Sequence, residues 1–293
     1  MLKNNNTAGK KSLISIFIQF GLFASLFFYI PSVHAVGELL VAPTRVVFEK
    51  RDRSARVSLI NTGTETTTYR IKLEHKRMTE DGKFILVDEP LPGELFVDNL
   101  VRYSPRQVTL PPGQSQAIRI ILRKPKDLPE GEYRSHMLFR SIPPTNSTNI
   151  ENTADPDNQK LTIQLIPILG ISIPVIVRHG NLAVDVSISD IQYQDVEEDD
   201  GEQQFVSLSL NRDGNQSIYG DLTATFIDEK GEKFVVGKAN GLSVYSPNSH
   251  RIVKLALHPT PGLQIENGKL LLSYHQTADN GGQLLAESNL TIP

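Results

Sequence analysis

The stretch that decides the fold is Leu161–Arg178, with the sequence LTIQLIPILGISIPVIVR. Apolar residues alternate with others at Leu161, Ile163 and Leu165, which is the period of a strand with one buried face. Beyond Leu165 the alternation gives way to a nearly continuous apolar run, which is typical of a strand covered on both faces. The pattern predicts a long apolar strand whose edge is not fully used by its own sheet.

Three residues interrupt this stretch, Pro167, Gly170 and Pro174. A fully extended segment of this length would span roughly 60 Å, several times the usual strand, so these residues must bend or break it. Proline is tolerated mainly at sheet edges and bulges. Soluble proteins normally avoid an open apolar edge, because it recruits other chains. The alternative is two ordinary strands joined at Gly170, and periodicity alone does not separate the two interpretations.

The composition favours a β protein of two domains. The chain has 293 residues and no Cys or Trp, and short runs of Val, Ile, Leu and Thr recur between Pro and Gly. These features favour an all-β fold, and the length allows two domains. The net charge is −3, and residues 1–35 hold three lysines and no acid, so the remainder is more acidic still. An acidic body without basic clusters argues against binding to nucleic acid or to an anionic membrane surface.

The N-terminus reads as a secretory signal. Lys3, Lys10 and Lys11 precede the apolar segment 13–30, and small residues follow up to Ala35. This pattern predicts a signal peptide, 1–35, cleaved after Ala35. The rival interpretation is an uncleaved membrane anchor, which Gln19 within the apolar segment and the Ala35 site disfavour.

The rest of the chain reads as two immunoglobulin-like β-sandwiches. From residue 38 to 144, about seven short alternating segments are separated by turn residues, and after Gly180 the same pattern resumes. The predicted domains are 36–178, which includes the long strand 161–178, and 179–293. The acidic run Asp195–Glu202 lacks the Gly and Glu of a calcium-binding EF-hand loop, so a solvated hairpin tip is the better interpretation.

Motifs of enzymatic chemistry are missing from the sequence. The seven His are scattered, no Cys can act as a nucleophile, and neither a GxSxG turn nor a phosphate-binding loop occurs. A pair of carboxylates could still meet in space, as in a glycosidase, although only Glu132 lies in an apolar context. The sequence therefore predicts a protein without enzymatic activity, metal or cofactor.

Four short motifs, in order along the chain, resemble those of a known family. The four motifs are PTRVVF at 43–48, LPPGQS at 110–115 with Ile118–Ile120, LP at 128–129 with Glu132 and IPP at 142–144, and Tyr274 with DNGG at 279–282. Through these motifs the chain resembles the periplasmic chaperones of chaperone–usher pilus assembly, and the match covers most of 36–293. Tyr274 followed by DNGG corresponds to the last turn of the family's second domain.

The resemblance implies two immunoglobulin-like domains set at an angle, with a cleft between them. It also implies donor-strand complementation, in which the chaperone lends a strand to a pilus subunit that lacks one. The donor side chains then fall on Ile163, Leu165 and Leu169, with Leu161 or Ile168 left open as further members. Pro167 lies at an even spacing from these residues, so its side chain would point to the same face of the strand. It has no N–H and loses one ladder hydrogen bond, and a bulge at this position would shift the register of the strand.

The resemblance also implies two charged sites. In the family a basic pair holds the subunit's C-terminal carboxylate, and its Arg falls on Arg45, whereas its Lys falls near Pro174 and is missing here. An interdomain charge cluster falls on Glu132, Arg178 and Asp279, where an arginine between two carboxylates would orient the domains.

These features together predict a periplasmic chaperone for pilus or fimbrial subunits that delivers them to an outer-membrane usher. The alternative is a secreted two-sandwich structural or adhesive pilus component that polymerises through its own open edge. A sugar-binding or hydrolytic sandwich is a third class, which the absence of Trp disfavours. The sequence leaves open whether the free protein caps its edge by forming a dimer.

Overall fold

The computed structural model describes residues 39–143, 168, 170–198 and 201–293. The predicted signal peptide, the loop 145–160, residues 161–167 and Leu169 lie outside the described residues. In the described part of the chain all the long elements are strands, and one short 3-10 helix covers Ala278–Asn280. The prediction of an all-β fold is confirmed.

The first sandwich is built from eleven strands in two sheets and a small hairpin. One sheet has the order β1-β3-β9-β7 and the other β2-β11-β10-β4-β8, while β5 and β6 form the hairpin. The strands are β1 Leu39–Ala42, β2 Val46–Phe48, β3 Ser54–Asn61, β4 Thr67–Glu74, β5 Lys76–Met78, β6 Phe84–Leu86, β7 Val101–Ser104, β8 Gln107–Leu110, β9 Ser115–Leu122, β10 Gly131–Ile142 and β11 Gly170–His179.

The first strand of the chain changes sheets at Pro43. β1 pairs antiparallel with β3 in one sheet, and β2 then pairs in parallel with β11 in the other. Proline cannot donate to a ladder, so it suits the point where one strand ends and the next begins. This crossing from one sheet to the other, with the strand orders above, is an immunoglobulin-like arrangement.

One apolar core fills the space between these two sheets. Strand β9 shows the expected period of two, with Ile118, Ile120 and Leu122 buried and their neighbours exposed. From the facing sheet, Phe139 of β10 and Val175 of β11 are fully buried in the same core. The core therefore fixes which side chains of β10 and β11 point away from it, and those outward side chains build the sites described below.

The second sandwich has its own core. Its sheets have the orders β12-β13-β16 and β15-β14-β17-β18. Leu208, Leu222 and Leu272 are among its buried residues, and none of its members belongs to the first core. The prediction of two immunoglobulin-like sandwiches is confirmed. The strands are β12 Val184–Glu198, β13 Gly201–Gly214, β14 Ile218–Ile227, β15 Lys233–Val244, β16 His250–Leu257, β17 Gly268–Gln276 and β18 Leu284–Ile292.

Turn residues lie where the strands end. Asp81 and Gly82 connect β5 to β6, and Gly82 has a φ of 82°, which favours glycine. The acidic run 195–202 lies at the ends of β12 and β13, which pair as far as Glu198 and Gly201. The described part of this run therefore forms the paired end of a hairpin, as its composition predicts.

Candidate functional site

The two edges of β11 are used unequally. On one side β10 pairs with β11 over the full length from Gly170 to His179. On the other side β2 pairs with β11 only from Val175 to Val177. Within the described residues no strand pairs with this second side between Gly170 and Pro174. We call Gly170–Pro174 the free edge.

The side chains of the free edge divide between the core and a pocket. Ile173 is buried in the first core and Ile171 packs against it, whereas Ser172 and Pro174 point to the opposite face and line a pocket. Ile168, just before the free edge, is exposed. The predicted donor residues Ile163, Leu165 and Leu169, with Leu161, lie outside the described residues. The free edge is thus the described continuation of the predicted donor strand.

A cleft of about 700 Å³ lies between the two sandwiches. Arg45, Glu49 and Arg178 line it from the first sandwich, and Tyr219 and Asp279 line it from the second. The predicted site residues Arg45, Arg178 and Asp279 thus share one cleft.

Arg45 lies immediately before β2 and reaches the second sandwich. Its Nη1 donates a hydrogen bond to the Tyr245 hydroxyl at 3.1 Å, and its guanidinium lies 4.5 Å from the centre of the Tyr219 ring. Cation–π contact of this kind is available to an arginine because its planar charge is weakly hydrated. The Nη2 of Arg45 is buried and has no hydrogen-bond partner in the described structure.

Glu132 and Arg178 face each other across the β10–β11 ladder, where they are a directly opposed pair. The Arg178 Nε donates to Glu132 Oε2 at 3.0 Å, and Nη2 donates to the Ser217 carbonyl of the second sandwich at 3.2 Å. Glu132 also accepts hydrogen bonds from the backbone N–H and the hydroxyl of Ser217. A carboxylate with only 1% of its side chain exposed is tolerated because these donors satisfy it.

The second acidic partner of Arg178 is Glu49, which pairs with its Nη1. Asp279 is exposed in the short 3-10 helix, and the ion pairs of Arg178 among the described residues are those with Glu132 and Glu49. Glu49 was missed because it lies 129 positions from Arg178. The sequence feature that could have pointed to Glu49 is the alternation of Arg45, Val47 and Glu49, which places these three side chains on the same side of β2.

A second pocket, of about 290 Å³, lies beside the free edge. We call it the basic pocket, and sequence analysis found only Arg45 and Pro174 among its residues. Burial and the positive charges of Arg134, Lys76 and Arg45 lower the pKa of its His136 to about 3, so this imidazole is neutral at ordinary pH. Its lining residues are Thr44, Arg45, Lys76, Phe84, His136, Ser172, Pro174, Tyr219, Gly241, Ser243 and Tyr245.

The described residues contain no cluster of three or more His, Asp or Glu side chains arranged to hold a metal ion. They also contain no helix long and apolar enough to cross a membrane.

Comparison with known proteins gave matches in structure alone. No family model matches the sequence, and no curated protein matches it. Similar solved structures include the class 5 fimbriae chaperone CfaA, with 15% sequence identity, a TM-score of 0.44 and coverage of 87% of this chain and 99% of that one. The Pseudomonas aeruginosa CupB2 chaperone has 14% identity, a TM-score of 0.44 and coverage of 87% and 100%.

A third similar structure is a chain of a complex. It comes from the CsuC–CsuE chaperone–tip adhesion subunit pre-assembly complex of the archaic chaperone-usher Csu pili of Acinetobacter baumannii. Its identity is 14%, its TM-score 0.41, and the alignment covers 87% of this chain and 98% of that one.

Proposed function

We propose that this protein is a periplasmic chaperone that holds pilus or fimbrial subunits by lending them a strand. The observation that carries the proposal is the free edge of β11, which β2 closes only from Val175 onward. An unpaired row of backbone N–H and C=O groups is a template for a strand of another chain. A long apolar strand with such unpaired backbone groups suits a protein that binds β-sandwiches lacking one strand.

The residues before the free edge supply the side chains of this interaction. A sandwich that lacks one strand exposes a groove over its core, and alternate apolar side chains of an added strand can fill that groove. We assign this role to Ile163, Leu165 and Leu169. Each fully buried Ile or Leu contributes roughly 1.5–3 kcal/mol before ordering costs, so three of them account for stable capture without ATP.

The charged residues of the cleft have separate roles in this proposal. Arg45 contacts the bound subunit at the end of the free edge. Glu132 and Arg178 connect the first sandwich to the second close to the domain boundary, and Asp279 adds negative charge to the same cleft. This cluster orients the two domains and takes no part in chemistry.

Secretion through a cleaved signal 1–35 brings the chain to the periplasm, where it delivers subunits to an outer-membrane usher.

The test is co-expression of this protein with secreted β-sandwich proteins encoded beside it, followed by purification of complexes. We expect one of them to co-purify in a one-to-one complex. Ile163→Asp and Leu165→Asp should each abolish that complex, because a charge in the groove opposes burial. The control Val235→Asp changes an apolar side chain that is 55% exposed on the second sandwich and should leave capture unchanged.

Two results would contradict the proposal. Capture that survives both substitutions would mean that the assigned strand does not enter the partner. Assembly of this chain with itself into long oligomers, with no second protein retained, would instead support a structural pilus component.

A further inference from the structure

The outer side of the sheet β1-β3-β9-β7 carries three arginines. Arg56 of β3, Arg102 of β7 and Arg119 of β9 are exposed, and we call this side the arginine face. Their neighbours Val57 and Ile118 are buried in the first core. Successive side chains of a strand point to opposite sides, so the arginines point away from that core. The four strands of this sheet contain no Asp, Glu or Lys, so they supply no charge that neutralises the arginines.

Two of these arginines are directly opposed. Arg56 and Arg119 face each other in the antiparallel pairing of β3 with β9, and like charges in this position destabilise a sheet. Neither forms an ion pair among the described residues. Local sequence does not show this cluster, because its members come from separate strands that the register brings together. An acidic partner would compensate the repulsion that the isolated protein retains.

The second sandwich carries the opposite arrangement. Asp185 of β12 and Asp213 of β13 are directly opposed in their ladder, and both are exposed. We call them the aspartate pair, and with His250 they line a surface pocket of about 380 Å³. Arg212 lines the same pocket, but its guanidinium donates to three backbone carbonyls. In the part of the chain that the structure describes, neither aspartate forms an ion pair.

The arginines and the aspartates match in spacing as well as in charge. Directly opposed residues of any antiparallel ladder have Cβ atoms roughly 4.5–5.5 Å apart, so the two pairs have the same spacing. Each planar guanidinium can then donate two hydrogen bonds to one carboxylate. The charge of the two sandwiches shows the same asymmetry. Residues 38–143 hold 18 Lys and Arg against 14 Asp and Glu, whereas residues 180–293 hold 7 against 16.

An exposed apolar side chain lies beside each charged pair. Ile121, which is 36% exposed, follows Arg119 by two residues and shares the arginine face. Ile252, which is 51% exposed, follows His250 by two residues on β16. Exposed ion pairs alone contribute little, so a stable contact also needs apolar side chains that become buried. Both surfaces offer one.

We propose that two copies of this protein associate through these surfaces, with the arginine face of each copy on the aspartate pair of the other. Because every copy carries both surfaces, a reciprocal dimer makes the contact twice and leaves neither surface open to a third copy. The free edge belongs to the other sheet of the first sandwich, so this contact does not use it. The dimer is therefore independent of the proposed chaperone function.

Self-association is measured by sedimentation velocity on this protein alone, over a range of protein concentrations. At about 0.02 M NaCl, where charges act over roughly 20 Å, we expect a reversible dimer. At about 0.5 M NaCl, where they act over roughly 4 Å, the Kd of the dimer should rise at least tenfold. A protein that stays monomeric at low salt and millimolar concentration overturns the proposal.

Two charge-reversed proteins identify the surfaces involved. One carries Arg56→Glu with Arg119→Glu, and the other carries Asp185→Arg with Asp213→Arg. Each alone should be monomeric, because like charges then meet at both contacts. An equimolar mixture should form a dimer with one copy of each, since both contacts are complementary again. A monomeric mixture, or either protein associating as strongly as the parent, overturns the proposal.

The matched control is Arg70→Glu with Arg140→Glu. These arginines are exposed and directly opposed in the pairing of β4 with β10, on the other sheet of the first sandwich. The change in net charge is the same, and the Kd of the dimer should stay within about twofold of the parent value. A loss as large as that of Arg56→Glu with Arg119→Glu would mean that net charge drives the association, and this would overturn the proposal.

Far-UV circular dichroism and thermal melting check that each variant folds. Should a charge-reversed protein not fold, Arg119→Gln and Asp185→Asn keep the test decisive, because each removes one charge without adding the opposite one. Each should raise the Kd of the dimer about threefold. An unchanged Kd in both variants overturns the proposal.

Association through the donor strand is separated by Leu165→Asp, which should leave this dimer unchanged. A dimer that is lost in Leu165→Asp and kept in Arg56→Glu with Arg119→Glu overturns the proposal, because the copies would then pair through that strand. The capture experiment above decides the chaperone function, and the mixture of charge-reversed proteins decides the dimer. Either can fail while the other stands.

Discussion

At the scale of single residues, Glu132 is a buried polar link between the two sandwiches. Its carboxylate accepts hydrogen bonds from Arg178 within its own sheet and from the backbone N–H and hydroxyl of Ser217 in the second sandwich. Removing one member of a buried, hydrogen-bonded charge pair leaves the other member uncompensated. Glu132 is therefore expected to contribute far more to the free energy of unfolding than Glu49, the other acidic partner of Arg178, which lines the cleft.

Glu132→Ala should lower the free energy of unfolding by about 3 kcal/mol, because it leaves the Arg178 charge and the Ser217 donors without their partner. Glu49→Ala is the matched control, since it removes the other acidic partner of Arg178, whose side chain is 46% exposed. Its effect should stay below about 1 kcal/mol. Urea denaturation measures both, and equal effects would contradict this ranking.

His136 should make stability dependent on pH. Its folded pKa of about 3 lies below the usual value near 6.5, so between these values the unfolded chain binds more protons than the folded one. The free energy of unfolding should then fall as the pH is lowered from about 6.5 toward 3, by up to about 1.4 kcal/mol per unit.

His136→Phe keeps an aromatic ring against Phe84 and Tyr245 and should flatten that slope. Urea denaturation at several pH values measures the difference between parent and variant. The control is His258→Phe at an exposed position, whose pH dependence should follow that of the parent. If the free energy of unfolding depends on pH equally in the His136→Phe and parent proteins, His136 does not have the lowered pKa.

Sequence patterns identified some of these residues and not others. Arg45, Glu132 and Arg178 were identified from the family resemblance, and the structure places Glu132 and Arg178 in one ion pair. Lys76, His136 and Glu49 were not found, because each acts through neighbours on other strands. Which side chains meet across strands depends on the register and the strand order, and neither can be read from local spacing.

At the scale of elements, β11 shows what apolar patterning does and does not reveal. The continuous run Ile171–Val177 was predicted to be covered on both faces, and Ile173, Val175, Ile176 and Val177 are buried. The pattern could not reveal that β2 closes one edge over three residues, because pairing involves backbone groups that every residue carries.

The free edge should exchange its backbone hydrogens faster than the closed part of the same strand. In hydrogen–deuterium exchange of the unbound protein, residues 170–174 should be labelled sooner than 175–179, since only the latter include residues paired on both sides. Subunit capture should slow exchange in 170–174 and leave 175–179 almost unchanged. Equal protection of both segments before capture would mean that another part of the protein covers the edge.

At the scale of the whole molecule, the two sandwiches share a small apolar contact besides their own cores. Met78 of the β5–β6 hairpin, Ile176 of β11 and Tyr245 of the second sandwich are buried together, and Val47 packs against them. The Tyr245 hydroxyl also accepts the hydrogen bond from Arg45. The strand patterns predicted two sandwiches but not this contact between them. The contact takes single residues from strands that are far apart in the sequence, so no periodic pattern of apolar residues marks it.

Tyr245→Ala should lower the free energy of unfolding by about 3 kcal/mol and separate the melting of the two sandwiches, because it removes the largest side chain of their shared contact. In scanning calorimetry we then expect two transitions for the variant and one for the parent. Tyr245→Phe keeps the ring and loses only the hydrogen bond from Arg45, so its cost should be about 1 kcal/mol. A single unshifted transition in Tyr245→Ala would show that this contact does not couple them.

The place where β2 begins has a consequence for how a partner strand would align in the proposed function. Because Val46 already pairs with Val175, a partner strand added in parallel along the free edge would have to end there, and that end would set its register. Strand β2 would thus fix the position of the partner strand. Lengthening β2 toward the N-terminus of β11 would shift where every partner comes to rest, even with the apolar side chains left untouched.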